Sequence, residues 1–184
     1  MALTASNKNL LGSIAYDFML PDVQKGSLFS LEDLKGEKGT LIMFICNHCP
    51  YVIHIIDGIV NLANEYQKKG ISFVAISSND IQSYPEDSPE NMILFAKEHA
   101  FPFPYLFDET QKVAKEYDAV CTPDFTLVDE NRKIIYRGRF DIARPGNNAE
   151  VNGNDMREAI DRLLNGEEAI KDQFPSLGCN IKWK

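Results

Sequence analysis

An apolar run, a helical pattern and a second apolar run follow one another in the first half of the chain, and this order restricts the fold. The run GTLIMFIC, from Gly39 to Cys46, has the composition of a buried strand. In PYVIHIIDGIVNLANEYQKKG the apolar residues recur at helical spacing, and the basic residues before Gly70 are typical of a helix end. The run ISFVAIS, residues 71–77, predicts a second buried strand. Two such strands joined by a helix indicate an α/β fold.

The remaining segments extend this α/β pattern. Ser88 and Pro89 are typical of a helix start and precede ENMILFAKEHA, while ETQKVAKEY predicts a short helix and YLFD a short strand. DFTLVD and KIIYRG predict an antiparallel hairpin, DMREAIDRLLNG predicts the last helix, and YDFMLP with SLFSL predicts an N-terminal β-hairpin. We therefore expect one domain over residues 1–184, with a sheet that helices cover on both faces and a tail, residues 167–184, that packs on it.

The charge and the N-terminus limit the partners and the location that we expect. The chain has 184 residues and a formal net charge of -8. Nucleic acids and anionic membranes attract basic surfaces, so neither is expected as a main partner. The N-terminal segment lacks the pattern of a secretory signal, and no apolar run approaches the length that spans a bilayer. We therefore expect a cytoplasmic protein, in which closely spaced cysteines more often serve catalysis or metal binding than a lasting disulfide.

Cys46 and Cys49 form a CxxC motif at the predicted junction of strand and helix. The start of a helix presents unpaired N–H groups and a partial positive charge, and both favour a thiolate over a thiol. The order of the two residues therefore predicts Cys46 as the attacking sulfur and Cys49 as the sulfur that resolves a mixed disulfide. His48 offers a cation beside the thiolate. Pro50 disfavours helical geometry at Cys49, so whether the helix begins nearer Cys46 or Cys49 stays open.

A metal site is the main alternative interpretation of the motif. Zinc normally takes four cysteine or histidine ligands, and one CxxC supplies two of them. Cys121, Cys179, His48 or His54 could complete the set, but the sequence contains no second CxxC and no HxxxH. The position of the pair between a buried strand and an amphipathic helix favours redox chemistry.

Two motifs resemble the signatures of thioredoxin-fold proteins. CNHC, residues 46–49, resembles their redox motif, and TPDF, residues 122–125, resembles their Thr-Pro ahead of a strand. The opening DFMLPDVQKGSLFSLEDLKGEKGTLIMF resembles the alkyl-hydroperoxide-reductase/thiol-specific-antioxidant (AhpC/TSA) branch, which is related to peroxiredoxins. AISSNDIQSYPEDSPENM, YRGRFDIARPGN and GCNIKWK resemble a thioredoxin-like bacterial subgroup of that branch. The resemblance covers residues 17–184 and implies a thioredoxin-like fold with a central mixed sheet.

The resemblance implies roles for four residues. Cys46 takes the place of the nucleophile, and Cys49 takes the resolving position. Pro123 takes the place of a cis proline that packs against the cysteine pair. Thr122 is the residue whose backbone pairs with the substrate chain in that family. A cis proline at this position would also bring Cys121 near the pair.

The sequence departs from the peroxiredoxin pattern in a way that weighs against peroxidase activity. Peroxiredoxins place a Thr three residues and a Pro seven residues before the peroxidatic cysteine. Met43 and Gly39 occupy these positions relative to Cys46, and Cys46 and Ile42 occupy them relative to Cys49. The hydroxyl and the tight turn that position a peroxide are therefore missing. The strand TLIMFI also lacks the buried acid that relays protons in many thioredoxins.

Three further residues are candidates for an auxiliary role. Cys121 could be a third redox thiol, although a small buried side chain is the commoner role of a free cysteine, and we favour that role. Cys179 could fold back over the site as an auxiliary thiol or merely pack with Trp183, and we favour packing. Arg139 could steer a thiolate or an anionic substrate, or it could form an ordinary ion pair.

These observations predict a thiol–disulfide oxidoreductase that works through a Cys46–Cys49 dithiol. Its expected partners are protein or small-molecule thiols and disulfides, and no cofactor and no oligomeric state are predicted. The first alternative is a peroxiredoxin-like thiol peroxidase with Cys46 as the peroxidatic cysteine, which would act on peroxides. The second is a metal-binding protein that uses the two cysteines and a nearby histidine. The third is a redox sensor without turnover.

Overall fold

A computed structural model of the chain describes residues 3–7 and 11–184. The strands are β1 (Leu3–Ala5), β2 (Met19–Pro21), β3 (Leu28–Ser30), β4 (Gly39–Phe44), β5 (Ile71–Ser77), β6 (Tyr105–Phe107), β7 (Cys121–Thr122), β8 (Asp124–Asp129), β9 (Ile134–Arg137) and β10 (Leu177–Asn180). The α-helices are α1 (Leu31–Leu34), α2 (Pro50–Tyr66), α3 (Pro89–Glu98), α4 (Lys112–Glu116) and α5 (Asn154–Leu164). Across these described residues, no helix has both the length and the apolar character needed to cross a membrane.

A five-stranded mixed sheet in the order β6-β5-β4-β8-β9 forms the centre of the fold. β4 pairs parallel with β5 and antiparallel with β8, and both neighbours run along its whole length. All six residues of β4 are buried, as expected for a central strand that is covered on both faces. β8 and β9 form the predicted antiparallel hairpin. The predicted α/β fold with a central mixed sheet is therefore confirmed.

Alternate residues of β4 belong to two separate apolar layers. Leu41 and Met43 contribute to the layer that contains residues of α2, α3 and α5. Ile42 and Phe44 contribute to the layer that contains residues of α1 and α4, together with Leu20 from the predicted N-terminal hairpin β2-β3. Helices thus cover both faces of the sheet, as predicted.

A separate three-stranded sheet in the order β1-β10-β7 brings the tail against the segment before β8. β10 pairs antiparallel with both of its neighbours. No local pattern predicts this strand, because LGCN shows no alternation and pairs only with short strands that are distant in the chain. Gly178 permits the close approach, since a Cβ at this residue would lie 1.9 Å from the Thr122 carbonyl oxygen.

The structure also settles where two helices begin. Ser88 caps α3, as predicted, by accepting a hydrogen bond from the Asn91 N–H. Helix α2 begins at Pro50, and Cys49 is its N-cap residue. Proline is favoured in the first turn because the N–H that it lacks would have no partner within the helix. The N-cap of the helix is therefore the second cysteine of the motif, three residues after Cys46.

Candidate active site

Cys46 and Cys49 lie in the loop that joins β4 to α2, at the carboxyl end of the central strand. Both side chains are buried, and neither forms a disulfide. The first-turn N–H groups of Val52 and Ile53 donate to the Cys49 carbonyl oxygen, both at 3.0 Å, and the Cys49 side chain makes no capping hydrogen bond. The start of α2 therefore lies next to Cys49, whereas Cys46, the predicted attacking sulfur, lies three residues before it.

The segment that precedes β8 lies against the cysteine pair. The peptide bond between Thr122 and Pro123 is cis, as the resemblance implied. The Cys46 Sγ lies 3.3 Å from the Thr122 hydroxyl oxygen, and the Cys49 thiol donates to the Thr122 carbonyl oxygen at 3.2 Å. Both sulfurs of the motif therefore contact one residue, the residue next to the cis proline.

Cys179 adds a third sulfur to this cluster. Its Sγ lies 3.0 Å from that of Cys49, although 130 residues separate the two in the chain. Cys179 is buried, and it is the Cα partner of Thr122 in the pairing of β10 with β7. β10 thus occupies the place beside Thr122 at which the resemblance implies a substrate chain. The favoured interpretation that Cys179 merely packs with Trp183 is wrong, because its thiol contacts the redox motif.

The two sulfurs of the motif differ in their tendency to ionise. The hydrogen bond from Cys46, opposed by burial and aided by the thiol and N–H of Cys179, lowers the pKa of Cys49 to about 5. The pKa of Cys46 is raised well above its ordinary value, because its thiol bonds to Cys49, its side chain is buried and the Asp87 carboxylate is near. Ionisation of one sulfur therefore opposes ionisation of the other, and Cys49 is the sulfur whose pKa is lowered; once ionised, Cys49 has no proton to donate to the Thr122 carbonyl oxygen.

His48 and Asp87 form an ion pair beside the cysteines. His48 Nδ1 lies 2.7 Å from Asp87 Oδ2, and this contact raises the pKa of His48 despite partial burial of the ring. Burial disfavours the charge of Asp87, but the contacts with His48 and Asn79 and the N–H of Asn47 outweigh it and lower the pKa of Asp87. The His48 ring also stacks on Tyr84, with 5.5 Å between the ring centroids. The predicted cation at position 48 therefore has a buried carboxylate as its partner.

Asp87 is the site residue that the sequence analysis did not single out. It lies in the polar loop after β5, and the parallel strands β4 and β5 end at the same edge of the sheet. This position is the signal that the sequence offers. The loop contains several polar residues, however, and the 3₁₀ turn Pro85–Asp87 decides which of them points to the cysteines.

Cys121 lies in β7 next to Thr122, but its thiol has a different surrounding. Its Sγ lies 3.8 Å from the Pro123 carbonyl oxygen, and this is the contact of its thiol. Burial is the main cause that raises its pKa, so Cys121 is a neutral thiol. The cis proline thus brings Cys121 into the neighbourhood of the pair, without a sulfur contact of the kind that Cys179 makes.

Arg139 makes its contacts outside the sulfur cluster. Its guanidinium pairs with Asp155 and lies over the Phe174 ring at 4.4 Å from the centroid. The residue also lines a groove together with Pro123 and Tyr51. Its charge is thereby partly neutralised, and its position beside the groove suits contact with a bound chain better than contact with a thiolate.

Three side chains at the site could offer donor atoms to a metal ion. One donor atom each from Cys46, His48 and Asp87 lies within 4.8 Å of the others, and a thiolate, an imidazole and a carboxylate suit zinc. The Asp87 carboxylate, however, already accepts hydrogen bonds from Asn79 Nδ2 at 2.7 Å and from the Asn47 N–H at 2.8 Å. A metal ion would compete with these bonds and would leave Cys49 outside the ligand set.

The AhpC/TSA family matches residues 11–137, which is more than half of the chain. The chain belongs to the AhpC/TSA family. An uncharacterized conserved protein of Geobacillus kaustophilus is 53% identical, with 100% of this chain and 97% of the other covered and a TM-score of 0.98. The thioredoxin domain of a thiol-disulfide oxidoreductase of Bacteroides vulgatus is 21% identical, with 82% and 98% covered and a TM-score of 0.64. The predicted thioredoxin-like fold is therefore confirmed.

A curated relative connects the family to peroxiredoxins. Chloroplastic peroxiredoxin Q of Triticum aestivum is 30% identical over 106 residues, which are 58% of this chain and 45% of the relative. The chain thus matches less than half of the length of that protein. The prediction of a thiol oxidoreductase is confirmed at the level of the family, and the peroxiredoxin-like peroxidase stays an alternative. The substrates and the roles of the residues are matters for proposal.

Proposed function

We propose that the protein is a thiol–disulfide oxidoreductase that cycles Cys46 and Cys49 between a dithiol and a disulfide. The observation that carries the proposal is the contact of both sulfurs with Thr122, at 3.3 and 3.2 Å, beside the cis Pro123. A thiolate is the reactive form of cysteine, and the low pKa of Cys49 supplies one at neutral pH. A neighbouring thiol is then at hand to complete the exchange.

The exchange requires the charge to reach the sulfur that attacks. Because Cys46 and Cys49 share a hydrogen bond, transfer of its proton moves the negative charge from Cys49 to Cys46. Cys46 attacks one sulfur of a substrate disulfide, and the other substrate sulfur leaves as a thiolate and takes up a proton. Cys49 then loses its proton and attacks Cys46, which releases the second substrate thiol and leaves a Cys46–Cys49 disulfide. The reverse sequence oxidises a dithiol substrate.

The groove beside Pro123 supports a protein or peptide as the substrate. Tyr51 and Phe125 give it apolar walls, while Arg139 and Arg144 add positive charge. The exposed side chain of Ile142 extends the apolar surface. Asp141 also lines the groove and Arg139 is paired with Asp155, so a peptide disulfide with apolar flanking residues fits this lining. The low-molecular-weight thiols and disulfides that the family implies remain the smaller alternative.

Substitution of each cysteine tests the assignment. We expect Cys46→Ser to lower the rate of reduction of insulin by at least about a hundredfold, because the attacking sulfur is lost. Cys49→Ser should accumulate a mixed disulfide with the substrate, which a non-reducing gel and intact mass would detect. Accumulation in Cys46→Ser instead would exchange the two roles. Full activity in either variant would refute the proposal.

Thiol peroxidase activity is the second candidate, and one contact favours it. The Thr122 hydroxyl lies 3.3 Å from the Cys46 sulfur, so it offers at the site a hydroxyl that the local motif lacks. Stopped-flow oxidation by hydrogen peroxide separates the candidates. A fast second-order reaction that Thr122→Val slows would favour the peroxidase, whereas slow oxidation with rapid disulfide exchange would favour the oxidoreductase.

A cytoplasmic location stays a prediction.

A further inference from the structure

The contact between Cys49 and Cys179 places a third thiol next to the Cys49 sulfur. The Cys49 sulfur forms hydrogen bonds with the Cys46 thiol and, at 3.0 Å, with the sulfur of Cys179. Both neighbours are thus within reach of the same sulfur. Since disulfide exchange proceeds by attack of a third sulfur on one of two bonded sulfurs, this order of atoms is the one that an internal exchange requires.

The backbone on both sides of Cys179 is fixed, so the contact does not depend on a free tail. On the N-terminal side, Ser6 donates its N–H to the Ser176 carbonyl oxygen and accepts from the Ser176 N–H through its hydroxyl. On the C-terminal side, the Lys182 N–H donates to Asn79 Oδ1, and Gln111 Nε2 donates to the Lys182 carbonyl oxygen. The strand is therefore anchored at both ends.

The approach of the strand itself depends on Gly178. A Cβ at Gly178 would lie 1.9 Å from the Thr122 carbonyl oxygen and 3.0 Å from Pro123 Cδ, so only glycine allows β10 to pass this close to the cis proline. The neighbouring residue is then Cys179, whose Cα partner is Thr122. The thiol of Cys179 therefore contacts the Cys49 sulfur, while Thr122, its partner in the strand pairing, contacts both Cys46 and Cys49.

We propose that Cys179 is a third redox-active thiol, which exchanges with the Cys46–Cys49 disulfide to form a Cys49–Cys179 disulfide. The proposal rests on the oxidoreductase function proposed above. The Cys179 sulfur attacks the Cys49 sulfur, the bond between Cys46 and Cys49 breaks, and the proton of Cys179 passes to the departing Cys46 thiolate. The product has the same atoms and the same oxidation state as the reactant, so no further oxidant is needed. Cys46 is returned as a free thiol, while β10 becomes bonded to the start of α2.

The charges at the site support this direction of exchange. In the dithiol form, burial and the hydrogen bond to the Cys49 thiolate raise the pKa of Cys179 to about 12, while Lys182 lowers it. Oxidation of Cys49 removes the thiolate and therefore two of the causes that keep Cys179 protonated. The Lys182 ammonium, which bonds to Asn180, remains nearby. Cys179 thus becomes a better nucleophile once the Cys46–Cys49 disulfide has formed.

Two variants with the same number of thiols test the proposal. Cys46→Ser with Cys121→Ala leaves Cys49 and Cys179, whereas Cys46→Ser with Cys179→Ala leaves Cys49 and the equally buried Cys121. Each reduced variant is treated with one equivalent of diamide, alkylated in acid and analysed by thiol count, non-reducing gel and peptide mass. We expect the first variant to lose both thiols as a monomer with a linked peptide, and the second to keep both.

The same analysis of the wild-type chain shows whether exchange occurs with Cys46 present. Trypsin leaves Cys46 and Cys49 on one peptide and Cys179 on another, because no lysine or arginine lies between the first two. We expect a linked pair of these peptides in which Cys46 carries the alkyl group. Circular dichroism of each variant checks that it folds.

Several results would overturn the proposal. These are two intact thiols in the first variant, equal oxidation of the matched variant through Cys121, and a wild-type chain whose oxidised form contains only the Cys46–Cys49 disulfide. Each of them can occur while wild-type protein still reduces insulin, so the proposed function would stand. Conversely, formation of the Cys49–Cys179 disulfide in a protein that reduces no substrate would contradict the proposed function and leave the role of Cys179 supported.

Discussion

Cys46 and Cys49 are separated by two residues and are equally buried, but different groups surround their sulfurs. Around Cys46 lie the Thr122 hydroxyl and, nearby, the Asp87 carboxylate, which disfavours a second negative charge. Around Cys49 lie the thiols of Cys46 and Cys179, which lower its pKa, and the Thr122 carbonyl oxygen, which accepts from its thiol. We call these surroundings the Cys46 side and the Cys49 side.

The comparison shows that contacts between the sulfurs separate the two cysteines, because the hydrogen bond from Cys46 is the largest cause that lowers the pKa of Cys49. Pro50 makes Cys49 the N-cap of α2, and the start of the helix is the smaller contribution on the same side. The first cysteine is left beside an acidic residue from another loop. A single charge therefore rests on the Cys49 side and reaches Cys46 by transfer of the proton that the two sulfurs share.

The largest expected effect comes from Gly178→Ala, which displaces the strand that carries Cys179. The added Cβ would collide with the Thr122 carbonyl oxygen, so β10 must move away and the free energy of unfolding should fall by about 2–3 kcal/mol. Urea unfolding of the reduced protein measures this loss. Gly58→Ala is the control, because its Cβ would meet side chains of Val151 and Phe140 and alanine favours a helix. An equal loss in both variants would contradict the prediction.

The second prediction tests where the charge rests. The ultraviolet absorbance of the thiolate should rise with a midpoint of about pH 5 in wild-type protein. Cys46→Ala removes the strongest donor to the Cys49 sulfur, so the midpoint should move upward towards the ordinary thiol value of 9.0. Cys179→Ala removes a weaker donor, the thiol, but keeps the backbone N–H of residue 179, and should move the midpoint upward by less. If the midpoint stayed at about 5 in Cys46→Ala, the hydrogen bond from Cys46 would not be the main cause of the low pKa of Cys49.

The third prediction concerns stability on the Cys46 side. The pKa of His48 is raised in the folded protein, so its protonated form stabilises the fold fully below its ordinary value of 6.5. This contribution, about 1.5 kcal/mol for a hydrogen bond to a charged group, is lost as the pH rises through the raised pKa. The low pKa of Cys49 acts in the opposite direction, because a thiolate stabilises the fold increasingly above pH 5.

A variant isolates the histidine from the cysteine. His48→Gln keeps the cysteines, so the difference in the free energy of unfolding between wild-type protein and this variant reports His48. We expect wild-type protein to be favoured more at about pH 6 than at about pH 9. If the difference in the free energy of unfolding stayed constant over this range, protonation of His48 would not stabilise the fold.

Local patterns predicted most of the fold. The order of β4, α2 and β5, the capping of α3 by Ser88 and the hairpin of β8 with β9 all depend on residues that are close in the chain. Such elements leave a periodicity or a cap that can be read directly. The cis Pro123 next to the CxxC motif followed from a resemblance, and not from any local pattern.

The missed features depend on contacts between distant residues. β10 is short and shows no alternation, and its place is decided by Gly178 against Thr122 and by pairing with β1 and β7. The partner of His48 is Asp87, which a 3₁₀ turn directs to the site from another loop. Neither relation has a signature in one sequence, because each requires that the sheet has already brought its strand ends together.

Cys121→Ala should have the smallest effect, and it is the control for a buried thiol that does not contact the Cys49 sulfur. Cys121 lies next to Thr122 and is as buried as Cys179, but its thiol has only the long contact with the Pro123 carbonyl oxygen. We expect the midpoint of thiolate absorbance to stay at about 5 and the free energy of unfolding to fall by about 1 kcal/mol, the effect of a small cavity. Titration and urea unfolding of the reduced variant measure both. A shift of the midpoint as large as that of Cys179→Ala would mean that burial near Thr122, rather than contact with the Cys49 sulfur, controls the charge.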